Sequence, residues 1–246
     1  MSSSPKSEAA EPASGAVGAI GAIIDRLLRG HAYRELGAAR LFEDGRALAP
    51  TAALADVIAG HAAEERAHYR AVIAVWAAFA QKPPATMEAR AEARLRERPL
   101  PVVASWYELA MAQFLFDRAG LWQIAEYAAC GFLPYRALAA SILGDERAHQ
   151  DFGAEEIARA GAAGAPPDAS AVFARWLAAA LRSFGRPDSD GDRAAVAAEL
   201  KRRPAAAVMR DFIADIKPTI ARAGLAFPAP AALDVVLPPA LAAALG

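Results

Sequence analysis

The sequence predicts an all-α protein whose core is a four-helix bundle. Ala supplies much of the apolar content, which makes up 55% of the 246 residues, and Ala is the strongest helix former. Along several long segments, apolar residues recur at spacings of three and four, as they do on one face of a helix. Convincing alternation with the period of two that is typical of strands is not found, and β-branched residues are sparse.

Prolines, glycines and capping residues set the boundaries of the first predicted helices. The first long helix is expected from about Ala19 to Asp44, and the second from Ala52 to about Gln81. Between them lies a turn that ends at Pro50, and Thr51 can cap the second helix. A charged, exposed helix is expected over 86–98.

The next part of the sequence repeats this arrangement as a second helical hairpin. A third long helix is expected over about 102–129 and a fourth over about 135–160, with a short turn between them. We therefore interpret 16–246 as a single helical domain with its core bundle at about 19–160. Residues 1–15, rich in Ser, Pro, Glu and Ala, are expected to form a disordered tail.

Additional helices are expected after the bundle, within about 169–223. They are predicted at 169–184 and 191–223, with breaks near Pro204 and Pro218. The acidic loop before the second of these has part of the spacing of a calcium loop, but Arg193 stands where the sharp turn requires Gly. We interpret its acids as caps of the following helix.

Charge and cysteine content exclude several classes of function. The formal net charge of −1 gives no field that would recruit nucleic acid or an anionic membrane. The single cysteine, Cys130, excludes a disulfide framework and a four-cysteine iron site. No stretch has the ~18 uncharged apolar residues of a membrane span. The apolar run near the N-terminus follows Glu8 and Glu11 rather than basic residues, so we expect no secretory signal and a cytoplasmic protein.

Two segments share a pattern of metal-ligand residues. Glu65 and His68 lie in the sequence Glu-Glu-Arg-Ala-His, and Glu146 and His149 lie in Asp-Glu-Arg-Ala-His. Residues three apart share a helix face, so each motif projects a carboxylate and an imidazole together. A single Glu-x-x-His is a weak signal. Two copies on apolar stripes are stronger, because burying these groups costs free energy unless they form ion pairs or bind a metal.

A di-metal bundle of this type needs one more carboxylate from each of the other two helices. Residues at the same depth in an antiparallel hairpin lie equally far from its turn, which selects Glu35 in the first hairpin and Asp117 in the second. Glu43 and Glu126 compete with them, but both lie close to a turn. The predicted ligands of two iron ions, with manganese as the alternative metal, are Glu35, Glu65, His68, Asp117, Glu146 and His149.

Further polar residues fall near these ligands. Candidates for contact with them are His31, His61, Gln113 and Gln123. We interpret the two histidines either as hydrogen-bonded core residues or as groups that orient a ligand carboxylate. Glu64 and Asp145, which precede the motif glutamates, either hydrogen-bond across the bundle or lie in solvent. Tyr33, Tyr69 and Tyr127 raise the alternative of radical storage, but we interpret them as structural.

These segments resemble the catalytic subunit of bacterial phenylacetyl-CoA epoxidase and its relatives, including benzoyl-CoA epoxidase. The resemblance covers about 20–230 and is carried by the segments 31–35, 65–68, 114–119, 146–150 and 215–228. These relatives are ferritin-like di-iron oxygenases. Their third-helix ligand is Asp, which agrees with Asp117.

The resemblance implies a non-haem di-iron monooxygenase in a ferritin-like bundle. Such an enzyme activates dioxygen to hydroxylate or epoxidise a small organic substrate, aromatic or acyl-CoA, with electrons from a separate reductase. A homodimer or a related helper subunit is compatible with it. No basic cluster for the phosphates of CoA is evident in the sequence. The alternatives are a ferroxidase or peroxidase that handles iron, and a non-catalytic structural partner of an oxygenase.

Overall fold

The computed structural model describes residues 14–235 and 237–245. Helices dominate this part of the chain, and it contains no β-strand, which confirms the all-α class. Of the predicted tail, residues 1–13 lie outside the described residues, and the first helix begins at Ser14. None of the described helices combines the length and the apolar character that crossing a membrane would require.

Four long helices form the bundle as two hairpins. The first hairpin pairs α1 (Ser14–Gly45) with α2 (Ala52–Ala80), and the second pairs α4 (Trp106–Tyr127) with α5 (Leu133–Ala163). Between the hairpins lies α3 (Pro84–Glu97). The predicted order of helices is thus confirmed, with boundaries that differ by a few residues.

Capping side chains explain two of these boundaries. The hydroxyl of Thr51 accepts a hydrogen bond from the backbone N–H of Leu54 at the start of α2, as predicted. The third long helix begins at Trp106 rather than at 102, because the hydroxyl of Ser105 caps it and accepts from the N–H of Glu108.

The short helix α3 differs from the expectation of an exposed helix. One of its faces, formed by Met87, Ala91 and Leu95, is buried. The spacing of four places these residues in one row along the helix, and the row packs against α1 and α2. The charged residues occupy the other faces of α3.

The segment after the bundle forms α6 (Ala169–Ser183), α7 (Asp190–Ala197), α8 (Ala205–Arg222) and α9 (Pro239–Leu245). The predicted break near Pro204 separates α7 from α8, whereas Pro218 lies inside α8 without ending it. The acidic loop before α7 differs from the expectation that its acids cap the following helix. Its cap is Ser189 rather than an acid, and the carboxylate of Asp192 accepts from the N–H of Ala205 and thereby ties α7 to α8.

The core consists of two apolar clusters, one towards each end of the bundle. On α2, Ala62 belongs to one cluster and Tyr69 to the other; on α5 the corresponding residues are Ile157 and Ile142. The motifs of the sequence fall between these positions. The four long helices therefore enclose a polar layer between two apolar ones.

Candidate metal centre

All six predicted ligands converge in this polar layer, and all six are buried. Ligand atoms of Glu35, Glu65, His68 and Glu146 lie within 4.8 Å of one another, and those of Glu65, Asp117 and His149 form a second such group. Glu65 belongs to both groups. One carboxylate could therefore bridge two metal ions, with other ligands on either side of it.

Both imidazoles point Nδ1 towards the centre of the cluster. The Nδ1 atom of His149 lies 3.0 Å from a carboxylate oxygen of Glu65. The Nδ1 atom of His68 lies 3.6 Å from an oxygen of Glu35. Because the two Glu-x-x-His motifs lie on facing helices of different hairpins, their side chains meet across the bundle.

Both imidazoles point Nε2 away from the centre, to a carboxylate on the opposite hairpin. His68 Nε2 lies 3.0 Å from Asp145, and His149 Nε2 lies 2.7 Å from Glu64. Each motif thus supplies the acid that contacts the histidine of the other, so of the two alternatives that the sequence left open for Glu64 and Asp145, the structure has the hydrogen bonds across the bundle. A carboxylate at Nε2 favours the proton there and leaves the Nδ1 lone pair free for a metal.

Several inward-facing atoms of the cluster have no hydrogen-bond partner. They are Glu35 Oε2, Glu65 Oε1, His68 Nδ1, Asp117 Oδ2 and His149 Nδ1. A buried polar atom left without a partner costs about 1–3 kcal/mol, so five of them around one point need an explanation. Cations bound among these oxygens and nitrogens would supply it, and mixed carboxylate and imidazole ligands suit iron or manganese.

The carboxylates of the cluster repel one another. Burial, together with repulsion from neighbouring carboxylates, raises the pKa of Glu65 and of Glu146 well above the ordinary value. Burial and the charge of Glu35 do the same to the pKa of Asp117. A cation would reverse these shifts, because positive charge favours the ionised form of each carboxylate.

His31 and His61, the two histidines outside the motifs, take different positions. The ring of His31 lies behind Glu35, with Nε2 2.6 Å from Oε1 of that carboxylate. The ring of His61 packs on His149, with 4.4 Å between centroids. Burial and repulsion from His149 lower the pKa of His61 to about 4, so this ring is neutral at physiological pH.

The two glutamines also differ. The amide of Gln113 lies 2.8 Å from Nδ1 of His61, so it contacts a ring that touches the cluster. The hydrogen bonds of Gln123 join the side chains of Arg34 and Ser183 and the backbone of α4 instead. Gln123 therefore links the neighbours of the cluster rather than the cluster itself.

The competing glutamates lie elsewhere. Glu126 accepts hydrogen bonds from the backbone N–H groups of Arg202 and Arg203, each at 3.0 Å, and from the Arg203 guanidinium. Glu43 pairs with the guanidinium of Arg66. Both carboxylates thus have cationic partners outside the polar layer, as their short distance from a turn suggested.

Sequence reasoning missed the ion pair that fixes the segment around Asp117. Arg118 donates to both oxygens of Asp215 on α8, at 2.6 and 2.8 Å, and Trp122 donates to the same carboxylate. This contact clamps α8 against the middle of α4. The additional helices thereby help to position a predicted ligand.

A cavity of about 840 Å³ adjoins the bundle and corrects the expectation that the chain lacks a basic cluster. Its wall contains seven arginines and a single acid, Glu97. The arginines are Arg26, Arg29, Arg34, Arg90, Arg94, Arg98 and Arg182. Among the described residues, Asp25 pairs with Arg29, and Asp234 lies near Arg182, which leaves a clear excess of positive charge.

This cavity reaches residues next to the cluster. Its wall includes Arg34 and Phe116, the sequence neighbours of Glu35 and Asp117. One guanidinium nitrogen of Arg34 donates to Gln123 at 3.0 Å, while another is buried without a partner. The arginines come from α1, α3, the segment after α3 and α6, so no single stretch of the sequence contains all seven.

A comparison with family models matches the part of the chain that carries five of the six candidate ligands. The model of the phenylacetic acid catabolic protein family matches residues 51–234. This range contains both Glu-x-x-His motifs and Asp117, and it begins after α1. No match was found among curated proteins. Since the family model covers most of the chain, the protein belongs to the phenylacetic acid catabolic protein family.

Proposed function

We propose that the protein is a di-iron oxygenase that inserts one oxygen atom from dioxygen into an organic substrate, with electrons from a separate reductase. The observation that carries this proposal is the set of unpartnered oxygen and nitrogen atoms within the buried cluster. Six ligand-type residues with a shared carboxylate suit two metal ions, and a bound di-iron centre would supply dioxygen activation.

The residues of the chain have defined parts in this proposal. Glu65 joins the two halves of the centre. Asp145 and Glu64 hold the histidines with Nδ1 turned inward. The apolar clusters on both sides exclude water, which strengthens electrostatic interactions within the centre and prevents side reactions with solvent.

We further propose that the substrate is an acyl-CoA thioester. Arginine side chains recognise phosphate by paired hydrogen bonds, and the wall of the cavity carries seven of them. Because this wall extends to Arg34 and Phe116, a ligand with its phosphates among the arginines could direct its acyl end towards Glu35 and Asp117. An iron-handling protein without an organic substrate would leave this cavity without a role.

A single-turnover experiment tests the oxygenase proposal. The chain is loaded with Fe²⁺ without oxygen, its iron is measured, and ¹⁸O₂ is admitted with phenylacetyl-CoA as the probe. We expect two iron ions per chain and a product that carries one ¹⁸O atom. Glu65→Ala, which removes the shared carboxylate, should give neither. A chain that binds no iron, or bound iron that leaves the thioester unchanged, would contradict the proposal for this substrate.

Binding measurements test the cavity separately. The double variant Arg26→Gln/Arg98→Gln removes two exposed arginines of the wall. We expect affinity for phenylacetyl-CoA to fall by about tenfold or more, since hydrogen bonds to charged groups contribute about 1.5–3 kcal/mol. Arg210→Gln, an exposed arginine outside the cavity, is the matched control. Equal loss in both variants would indicate nonspecific charge attraction.

A further inference from the structure

Arg34 belongs both to the cavity and to the surroundings of the candidate metal centre. It directly precedes Glu35 on α1, and its side chain forms part of the cavity wall. Burial and the charges of Glu35 and Asp117 raise the pKa of Glu146, and the positive charge of Arg34 opposes this rise. Arg26, on the same wall, lies eight residues earlier, which corresponds to about 12 Å along the helix. Arg34 therefore lies where the wall meets the centre.

A chain of hydrogen bonds fixes the orientation of the Arg34 guanidinium. The hydroxyl of Ser183 on α6 donates to the backbone carbonyl of Ala180 at 2.7 Å. It therefore accepts from Nε2 of Gln123, which lies 3.0 Å away. The amide oxygen of Gln123 is then available to accept from Nη1 of Arg34, at 3.0 Å. Side chains of α4 and α6 thereby hold one terminal nitrogen of Arg34 in place.

The other terminal nitrogen of this guanidinium, Nη2, is buried and has no hydrogen-bond partner among the residues that the structure describes. Within the same part of the chain, Arg34 forms no ion pair with a carboxylate. Two Fe²⁺ ions in the centre would balance the charges of its four carboxylates, so these carboxylates would not also neutralise Arg34. Because a buried donor without a partner destabilises the protein, this position favours a ligand that brings an acceptor atom.

A carbonyl oxygen is the acceptor that suits this nitrogen. Exposed arginines of the wall, such as Arg26 and Arg98, can form the paired hydrogen bonds that phosphates need. Arg34 differs from them, because one of its terminal nitrogens is already held and it lies beside the centre. In an acyl-CoA thioester, the carbonyl group is separated from the phosphates by the pantetheine arm. The two ends of the ligand thus match two kinds of arginine in the cavity.

We propose that Arg34 is a specificity-determining residue that donates a hydrogen bond from Nη2 to the carbonyl oxygen of the acyl thioester. A carbonyl held at Arg34 fixes the distance between the acyl chain and the metal centre, and this distance selects the carbon atom that is oxidised. The inference rests on the proposed function, since the acyl-CoA substrate is part of that proposal. It adds a requirement for the carbonyl group, which contacts with the phosphates alone do not impose.

The experiment compares two ligands that differ only in the carbonyl group: phenylacetyl-CoA and its thioether analogue, S-(2-phenylethyl)-CoA. Calorimetric titration without oxygen measures the affinity of the iron-loaded chain for each ligand. We expect the wild type to bind the thioester about tenfold more tightly, because a hydrogen bond from a charged donor contributes at least this factor. Arg34→Met, which replaces the guanidinium by an apolar chain, should lose this preference and bind the thioether as the wild type does.

Two further variants complete the comparison. Arg26→Met is the matched control, since Arg26 lies on the same helix and the same wall but about 12 Å from Arg34 along the axis. It should weaken the binding of both ligands by the same factor and thus keep the preference for the thioester. Arg34→Gln, which is polar but shorter and uncharged, should lose the preference, and it replaces Arg34→Met if that variant has lost helicity.

Each result has a distinct meaning. Equal affinity of the wild type for the two ligands, or a preference that survives the replacement of Arg34, would overturn the inference and leave the oxygenase proposal standing. Wild-type protein that binds neither ligand would overturn the acyl-CoA proposal and this inference together. A preference that is lost with Arg34 and kept in Arg26→Met supports the inference.

Discussion

The two hairpins supply matching ligands to the candidate centre, but they surround them with different partners. On the first hairpin, His31 and His68 outweigh the effect of burial and hold the pKa of Glu35 well below its ordinary value. On the second hairpin, burial and the charge of Glu35 raise the pKa of Asp117. The two carboxylates thus favour opposite protonation states in the metal-free chain.

The motif histidines show the same difference. Burial opposes ionisation of both rings. For His68, Glu35 and Asp145 outweigh burial and raise the pKa. For His149, burial prevails over Glu64 and lowers the pKa. Glu35 and His68 on the first hairpin therefore stabilise each other's charged forms, whereas Asp117 and His149 on the second hairpin do not. Glu65, which belongs to both groups of ligand atoms, also has a raised pKa.

Removing the carboxylate shared by the two halves should have the largest effect. Glu65→Ala takes a ligand from both groups, so we predict that iron content falls from two ions per chain towards none. Asp117→Ala removes a ligand from the second group only and should spare one ion. Iron analysis of the purified variants measures this difference. Equal iron content in the two variants would show that Glu65 is not shared.

The comparison of Asp117 with Glu126 separates metal binding from stability. Glu126→Ala should keep its iron but lose about 2–3 kcal/mol of unfolding free energy, because two backbone N–H groups and a guanidinium lose their acceptor. Asp117→Ala should lose one of its two iron ions. Denaturant unfolding alongside iron analysis tests both variants. Iron loss in Glu126→Ala at full helicity would contradict this assignment.

The crossed acids provide a matched pair of smaller changes. Asp145→Asn and Glu64→Gln each replace the carboxylate behind one motif histidine. We expect each to weaken metal binding by about 10–100-fold, with Asp145→Asn acting on the ion beside His68 and Glu64→Gln on the ion beside His149. Competition with a chelator of known affinity measures the change. Unaltered affinity in both would mean that these acids do not orient the histidines.

The pH dependence of the metal-free chain should show the smallest effect. The buried carboxylates Glu65, Asp117 and Glu146 have raised pKa values. At a pH above the ordinary pKa of a carboxyl group, the folded state therefore binds more protons than the unfolded state. Stability then falls as pH rises. The lowered pKa values of His31, His61 and His149 make stability rise with pH instead. This effect ends at about pH 6.5, the ordinary pKa of histidine.

We therefore predict that the melting temperature of the metal-free protein falls above about pH 6.5, by about 2–4 °C for each 1 kcal/mol lost. Iron should abolish this decline. Glu146→Gln, which cannot ionise, should flatten it, and scanning calorimetry of stripped and loaded protein measures both. A metal-free wild type whose melting temperature stays constant or rises in this range would contradict the electrostatic account.

The sequence by itself determined the helices and the set of candidate ligands. Spacings of three and four fix which residues share a helix face, and distance from a turn fixes depth in a hairpin. These local rules predicted that Glu35 and Asp117 lie beside the two motifs and that Glu126 does not. Its position near a turn was visible in the sequence, although its partner Arg203 was not.

Only the tertiary structure decided what surrounds the ligands. The arginines of the cavity come from four separated segments, and Tyr135 reaches His31 across two hairpins. Periodicity predicts the face of one helix, but it does not predict which face of another helix packs against it. That choice depends on how the apolar clusters fit together, and it sets both the arginine-lined cavity and the partners of each candidate ligand.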